Sequence, residues 1–146
     1  MPGSLAPFLF MLGQQAADWA YGLPRLPARG GAAAFDSLQM DFRVRHAQRL
    51  ISEDLRRPLV LKEIARAVNL SEPHLRSLFR AETGMTPAQY LKSLRMQKAK
   101  ELLEETFLNV KQIMFQVGVN EKSHFARAFR QTYGLSPAEY RKRVRR

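Results

Sequence analysis

The sequence has no cysteine among its 146 residues, and features that mark many enzymes are also missing. Without cysteine the chain cannot form a disulfide, a thiolate zinc site or an alkyl-accepting thiol. Its three histidines, His46, His74 and His124, lie far apart and do not form the HExxH spacing of zinc proteases. Phosphate-binding glycine loops and nucleophile elbows do not occur either. We therefore expect a protein that is not an enzyme and that uses no metal and no cofactor.

Long hydrophobic runs are absent as well. The apolar stretch at residues 5–12 is far shorter than the ~20 residues of a membrane helix, and it lacks the basic region that begins a secretory signal. Prolines and a glycine pair break the pattern after Tyr21. Residues 1–40 are either an arm or remnant of an upstream region, or a segment that packs on the domain or on a partner. Its apolar candidates for packing are Phe8, Phe10, Leu12 and Trp19.

Acidic residues are scarce relative to basic ones, with 13 Asp and Glu against 24 Lys and Arg. The formal net charge is +11 and the pI is about 10.7. Residues 1–40 are balanced, so residues 41–146 carry the whole excess. Such a surface favours an acidic partner, although a basic surface that only confers solubility is the simpler alternative.

One segment occurs twice. Residues 74–90 align without a gap with residues 124–140, fifty positions later, and seven of the seventeen residues are identical. A repeat of this length indicates one supersecondary unit that is used twice.

Hydrophobic spacing predicts three helices around the first copy. The first ends before Pro58 and carries one apolar stripe, formed by Val44, Ala47, Ile51 and Leu55. The second is short and buries Leu61, Ile64, Ala65 and Val68. The third is capped by Ser71, extends through Glu82 and stops at Gly84. Its inward-facing residues are Leu75, Leu78 and Phe79.

A long helix is predicted next, from the capping box of Thr86 and Gln89 to about Glu105. Its inward-facing residues change from Tyr90, Leu91 and Leu94 to Met96, Ala99 and Leu103, as a helix shared by two small cores requires. In the second copy, capping boxes predict helix starts at Asn109 and Ser136. The copy of the third helix covers residues 121–132, with Phe125, Ala128 and Phe129 inward. No segment has the pattern of a strand, so the predicted fold is all-α.

A short helix, a tight turn and a second helix of about three turns form a helix-turn-helix, which fits a helix into the DNA major groove. The core residues leave a basic face outward on each third helix. This face comprises Pro73, Arg76, Ser77 and Arg80 in the first copy, and Lys122, Ser123, His124, Arg127 and Arg130 in the second. Arginine can bind guanine in bidentate fashion. Any surface helix has a polar face, but two in the same frame favour DNA binding.

The sequence resembles the tandem helix-turn-helix domain of the AraC/XylS family of transcription regulators over about residues 41–143. The resemblance rests on residues 64–71, on residues 113–118, and on single positions in both copies. The single positions are Leu75, Leu78, Phe79, Arg80, Gly84, Pro87 and Tyr90, then Ser123, His124, Phe125, Phe129, Arg130, Tyr133, Gly134, Pro137 and Tyr140.

This resemblance implies a bundle of seven helices, in which two homeodomain-like helix-turn-helix subdomains are joined by a long linker helix. The expected divisions are 1–40 for the arm or remnant, 41–86 for the first unit, 87–105 for the linker helix and 106–146 for the second unit. The two recognition helices would then enter successive major-groove segments.

By position, the family's base-reading residues correspond to Pro73, Arg76, Ser77, Lys122, Ser123, His124 and Arg127. Phosphate contacts correspond to Arg80, Arg130 and main-chain N–H groups at helix starts. His74 follows a proline, so a structural role and an outward role are equally open for it. The implied partners are double-stranded DNA, RNA polymerase and a second copy held through a missing or upstream region, but not a membrane. The implied location is the bacterial cytoplasm at the nucleoid, with activation the favoured mode of regulation.

The sequence departs from the family in three respects. Met114 stands where a small residue usually allows two helices to cross, and Val119 replaces a usual aromatic residue. Forty residues are also too few for the sensor domain that most members carry, so the chain is either a short stand-alone member, resembling the MarA/SoxS type, or a piece of a longer regulator. Two other functions stay open: a non-specific architectural DNA binder, and a membrane-surface or protein-interaction module.

Overall fold

The computed structural model describes residues 40–146, which form seven α-helices and, within that range, no strand. The helices are α1 (Phe42–Glu53), α2 (Leu61–Ala67), α3 (Glu72–Thr83), α4 (Pro87–Glu105), α5 (Val110–Val117), α6 (Lys122–Tyr133) and α7 (Pro137–Val144). They belong to two compact units, residues 40–92 and residues 93–146. The prediction of a seven-helix, all-α fold is confirmed. The expectations for the arm at residues 1–39 lie outside the described residues.

The core of the first unit joins α1, α2, α3 and the start of α4. Its buried side chains are Val44, Ala47, Ile51, Ala65, Val68, Leu75, Phe79 and Leu91. Phe79 is fully buried, and its ring meets Tyr90 edge to face with centroids 5.5 Å apart. Leu78, which the helical spacing predicts as inward, is only half-buried. Each fully buried side chain of this size contributes about 1.5–3 kcal/mol by leaving water.

Helix α1 ends earlier than its hydrophobic stripe predicts. Its last residue is Glu53, and Asp54 is already extended. The Asp54 carboxylate accepts a hydrogen bond from the Arg56 N–H at 3.0 Å, and the Arg57 N–H donates to the Asp54 carbonyl at 3.2 Å. This hydrogen-bonded turn at residues 54–57 forms in place of a further turn of helix α1. Leu55 therefore lies outside the helix and is half-buried, which corrects its predicted place on the buried stripe.

The turn between α2 and α3 depends on Asn69. This residue has a φ of 56°, in the left-handed region that asparagine tolerates better than most residues. The turn is closed by the Leu70 N–H, which donates to the Ala65 carbonyl at 2.9 Å. Ser71 then caps α3 by accepting a hydrogen bond from the His74 N–H at 3.3 Å, as predicted.

Helix α4 contributes side chains to both units. It begins with the predicted capping box, in which the Gln89 N–H donates to the Thr86 hydroxyl at 3.2 Å and the Thr86 N–H donates to the Gln89 side chain at 2.9 Å. Leu91 is buried in the first unit. The second unit receives the buried side chains Met96, Ala99 and Leu103. The predicted change of inward-facing residues along this helix is confirmed.

The core of the second unit includes the two residues that depart from the family pattern. Its buried members are Met96, Ala99, Leu103, Ile113, Met114, Val117, Phe125, Ala128 and Phe129. Met114 is only 7% exposed, and Val119 packs partly buried against the same core. The unbranched thioether of methionine adapts to irregular gaps, which accounts for the burial of Met114, while Val119 packs against this core from a partly buried position.

Helix α7 is attached to the rest of the second unit by aromatic and polar contacts. The Tyr140 ring meets Phe129 edge to face at 5.5 Å and Tyr133 at 6.1 Å. The Tyr140 hydroxyl donates to the Glu104 carboxylate. Burial, followed by this neighbouring negative charge, raises the pKa of both Tyr133 and Tyr140. Both hydroxyls therefore stay protonated and neutral at physiological pH.

Across residues 40–146, none of the helices is long and apolar enough to span a bilayer.

Candidate nucleic-acid interface

Two fully buried residues, Leu75 and Phe79, lie one turn apart on α3 and determine which face of this helix points into the core. With this face in the core, the opposite face points to solvent. Its exposed side chains are Pro73, Arg76, Ser77 and Arg80, all of which were identified from the sequence.

Helix α6 repeats this arrangement fifty residues later. Phe125 and Phe129 are fully buried, and Ala128 is 4% exposed. The five side chains that the sequence places outward are all exposed: Lys122, Ser123, His124, Arg127 and Arg130. Each unit therefore brings its predicted base-reading and phosphate-binding residues together on one helix face.

The ends of α3 and α6 are built from matching residues. Both helices contain 12 residues and stop at a glycine in the left-handed region, Gly84 with a φ of 76° and Gly134 with a φ of 79°. The Gly84 N–H donates to Arg80, and the Gly134 N–H donates to Arg130, each through the arginine carbonyl at 2.8 Å. Arg80 and Arg130 thus hold equivalent positions in the last turn of their helices.

The basic residues of α3 and α6 have no ion-pair partner among residues 40–146. They are Arg76, Arg80, Lys122, Arg127 and Arg130. The ion pairs in this part of the chain lie elsewhere, for example between Lys98 and Glu101 at 3.1 Å and between Lys100 and Glu104 at 3.2 Å. A cation without a partner can bind a phosphate without first breaking an existing pair.

Glu139, an acidic residue at the start of α7, lies close enough to Arg130 for the two charges to interact. Hydrogen bonds from Ser136 lower the pKa of Glu139, and the charge of Arg130 lowers it further. Glu139 forms a capping box with Ser136, and it does not lie within ion-pair distance of Arg130.

His74 is exposed, so its side chain is not a structural part of the core. It lies close enough to α1 to affect Asp41, the N-cap of that helix. The hydrogen bonds from Arg43 lower the pKa of Asp41 to about 2, and the charges of Arg43 and His74 add to this effect. The alternative of an outward-facing His74 is therefore the one that the structure supports.

Glu121 was not identified from the sequence as a site residue. It is the exposed N-cap of α6, but its side chain makes no capping hydrogen bond. Instead, its carboxylate accepts a hydrogen bond from the Ser123 hydroxyl at 2.5 Å. Its counterpart in the repeat is Ser71, which does cap α3. The fifty-residue offset could have revealed this acidic replacement at the start of a recognition helix.

No group of three or more His, Asp or Glu side chains within the described residues is arranged to hold a metal ion.

Comparison with known proteins identifies the family. A family model described as a helix-turn-helix domain matches residues 64–143, which is more than half of the chain. The fold is also similar to the crystal structure of a probable AraC family transcriptional regulator from Rhodopseudomonas palustris, with a TM-score of 0.66 and 25% sequence identity over 71% of this chain and 98% of that one. The chain belongs to the AraC/XylS family of transcription regulators.

Two further proteins are similar to this chain. The MmsAB operon regulatory protein of Pseudomonas aeruginosa is 36% identical over 124 residues, which cover 84% of this chain and 38% of that protein. The DNA-binding domain of AdpA, a global transcriptional factor solved in complex with a target DNA, has a TM-score of 0.66 and 26% identity, covering 70% of this chain and 93% of that chain.

The chain spans between a third and two-fifths of the length of the curated AraC/XylS relatives that it matches first, at 38%, 36% and 35% of their residues. The match therefore concerns the DNA-binding part of such regulators.

Proposed function

We propose that this protein is a sequence-specific, DNA-binding transcription regulator that reads two successive major-groove segments, one with α3 and one with α6. One observation carries the proposal. Each recognition helix has an exposed face whose cations have no ion-pair partner among residues 40–146, and the two faces occupy the same frame of the repeat. Family membership and the likeness to a domain solved with its target DNA support the same function.

The proposed roles are those that the family resemblance implies for these positions. The base-reading residues are Pro73, Arg76, Ser77, Lys122, Ser123, His124 and Arg127. Arg76 and Arg127 would each bind guanine O6 and N7 in bidentate fashion. Arg80 and Arg130, in the last helical turn, would bind phosphates, together with main-chain N–H groups at helix starts.

The remaining features of the regulator belong to the same proposal. The functional divisions are 41–86, 87–105 and 106–146, with a linker helix between two DNA-reading units. The partners are double-stranded DNA, RNA polymerase and a second copy of the protein joined through a missing or upstream region. The protein acts in the cytoplasm at the nucleoid, without enzymatic activity.

The decisive experiment is repeated selection of bound duplexes from a random library of about 30 base pairs at about 150 mM salt. The full chain is used, and the enriched sequences are read after several rounds. The expected result is a motif of two boxes separated by about one helical turn.

The other outcomes distinguish the rival functions. Enrichment of a single box would mean that only one unit reads sequence and that the other holds the backbone. Tight binding without enrichment would support an architectural DNA-binding protein instead. Binding to anionic vesicles but not to duplexes would support a membrane-surface module and refute the proposal.

A further inference from the structure

Glu121 places a carboxylate at the N-cap of a helix that is proposed to read DNA. A carboxylate there repels phosphates, and its side chain makes no capping hydrogen bond that would explain its presence. Three polar N-cap residues of the same chain do cap their helices, namely Ser71 for α3, Asn109 for α5 and Ser136 for α7, whereas the apolar Val60 of α2 does not. Helix capping therefore does not account for Glu121.

The contact that Glu121 does make restricts the chemistry of Ser123. A serine hydroxyl has one proton to donate and two lone pairs that accept. The Ser123 proton is directed to the Glu121 carboxylate at 2.5 Å. Both side chains are exposed. Their remaining capacity toward a ligand is therefore acceptor-only: the carboxylate oxygens of Glu121 and the lone pairs of Ser123.

Only two groups on the major-groove edges of bases donate hydrogen bonds: the N4 amino group of cytosine and the N6 amino group of adenine. Adenine presents its N7 acceptor beside N6, so a carboxylate directed at N6 also meets a lone pair that repels it. Cytosine has no acceptor on this edge. An acceptor-only pair is therefore better matched to cytosine than to adenine, and it is mismatched to the acceptors of guanine.

We infer that Glu121, with its hydrogen bond to Ser123, is a specificity-determining residue that selects cytosine at one position of the box read by α6. The inference rests on the proposed function and extends it to a residue outside the basic face. N-terminal residues of a recognition helix are the ones that reach base edges. Repulsion from phosphates also directs the carboxylate toward the groove rather than the backbone.

The test uses three variants and the site recovered by selection. Glu121→Ser removes the carboxylate and copies the capping residue of α3. Glu121→Gln retains the shape but replaces an acceptor with the amide that pairs with adenine N6 and N7. Ser71→Ala removes a capping side chain from the other recognition helix and serves as the stability control. Affinity is measured for duplexes that carry each of the four base pairs at every position of the site, and the melting temperature of each variant is recorded.

Wild-type protein is expected to prefer cytosine by about tenfold at one position of the second box. Glu121→Ser should abolish this preference, leave the other positions unchanged and strengthen binding to unrelated duplexes, because a negative charge is lost. Glu121→Gln should shift the preference at that position toward adenine. Ser71→Ala should lower the melting temperature and leave the cytosine preference intact.

Three results would overturn the inference. Retention of the cytosine preference by Glu121→Ser would show that another residue selects the base. An equal loss of affinity for all duplexes, with a lower melting temperature, would give Glu121 a structural role only. A wild-type chain that selects no sequence at all would refute the proposed function and this inference together, whereas the first two results leave the proposed function standing.

Discussion

Arg127 and Arg130 offer the sharpest test of the division between base reading and phosphate binding. Both lie on α6, both are exposed, and neither is ion-paired within residues 40–146. The core of the helix is formed by Phe125, Ala128 and Phe129, so substitution of either arginine leaves the packing unchanged. Exposed substitutions of this kind change stability by at most about 0.5 kcal/mol. A change in binding would therefore report the lost DNA contact.

The two arginines should differ in how their loss depends on sequence and on salt. Arg127→Ala should weaken the cognate site by about 1–3 kcal/mol, or roughly 5- to 150-fold, and should relax the preference at one guanine. Arg130→Ala should weaken all duplexes to a similar degree. It should also reduce the slope of log K against log salt by about 0.9, which makes the fall in affinity between about 50 and about 200 mM salt smaller by roughly 3.5-fold.

Lysine variants provide the matched controls. Arg127→Lys keeps the charge but loses the planar fork, so it should lose specificity almost as Arg127→Ala does. Arg130→Lys retains a cation that can bind a phosphate, so it should resemble the wild type. The assay is fluorescence anisotropy with a labelled cognate duplex and its three base variants at the position that Arg127 reads, across the same salt range. If Arg127→Ala lowers affinity equally for every duplex, or if Arg130→Ala changes base preference, the assigned roles are wrong.

Three further predictions concern stability. Phe129→Ala should lower the free energy of unfolding by about 3–5 kcal/mol in denaturant titrations, because the ring is fully buried. The hydrogen bonds from Arg43 lower the pKa of Asp41 from 3.8 to about 2. The contribution of this contact to the free energy of unfolding is therefore fully present above pH 3.8 and is lost as the pH falls through about 2. Melting temperatures of Asp41→Asn, measured across this pH range, should lack this acid-dependent component. Arg141 corresponds to Leu91 of the first copy, and its Nε and Nη2 atoms are buried without a hydrogen-bond partner. Arg141→Leu should therefore raise the free energy of unfolding by about 1 kcal/mol. The control is Arg143→Leu, because Arg143 lies on the same helix but is exposed, and this change should not raise the free energy of unfolding.

The helix starts were predictable because their signals are local. The capping boxes at Thr86, Asn109 and Ser136 need only two residues three positions apart, and all three are present. The left-handed stops at Gly84 and Gly134 are equally local, since glycine adopts a positive φ at little cost. Helical spacing then fixed which face of α3 and α6 is exposed.

The remaining features depend on side-chain partners that spacing does not reveal. The stripe through Leu55 continues at helical period, but the hydrogen bond from the Arg56 N–H to the Asp54 side chain ends α1 first. Helical period likewise gives the direction of Glu121 and Ser123 but not the hydrogen bond between them. The absence of ion-pair partners for the basic residues of α3 and α6 is also a property of the folded units, because acidic residues such as Glu82 are present nearby in the sequence.

The way in which the two copies differ constrains what the protein can recognise. Between positions 74–90 and 124–140, most identities fall at residues that build the fold, such as Phe79 and Phe129 in the cores. Arg80 and Arg130, the proposed phosphate contacts, are also the same. The differences include the exposed faces, where Arg76 corresponds to alanine, and where Ser77 corresponds to Arg127. A phosphate contact carries no sequence information, whereas a base contact does. The two helices therefore share their proposed phosphate contacts, whereas the proposed base-reading residues differ between them except at His124, which corresponds to His74. The two boxes of the operator should accordingly differ in sequence.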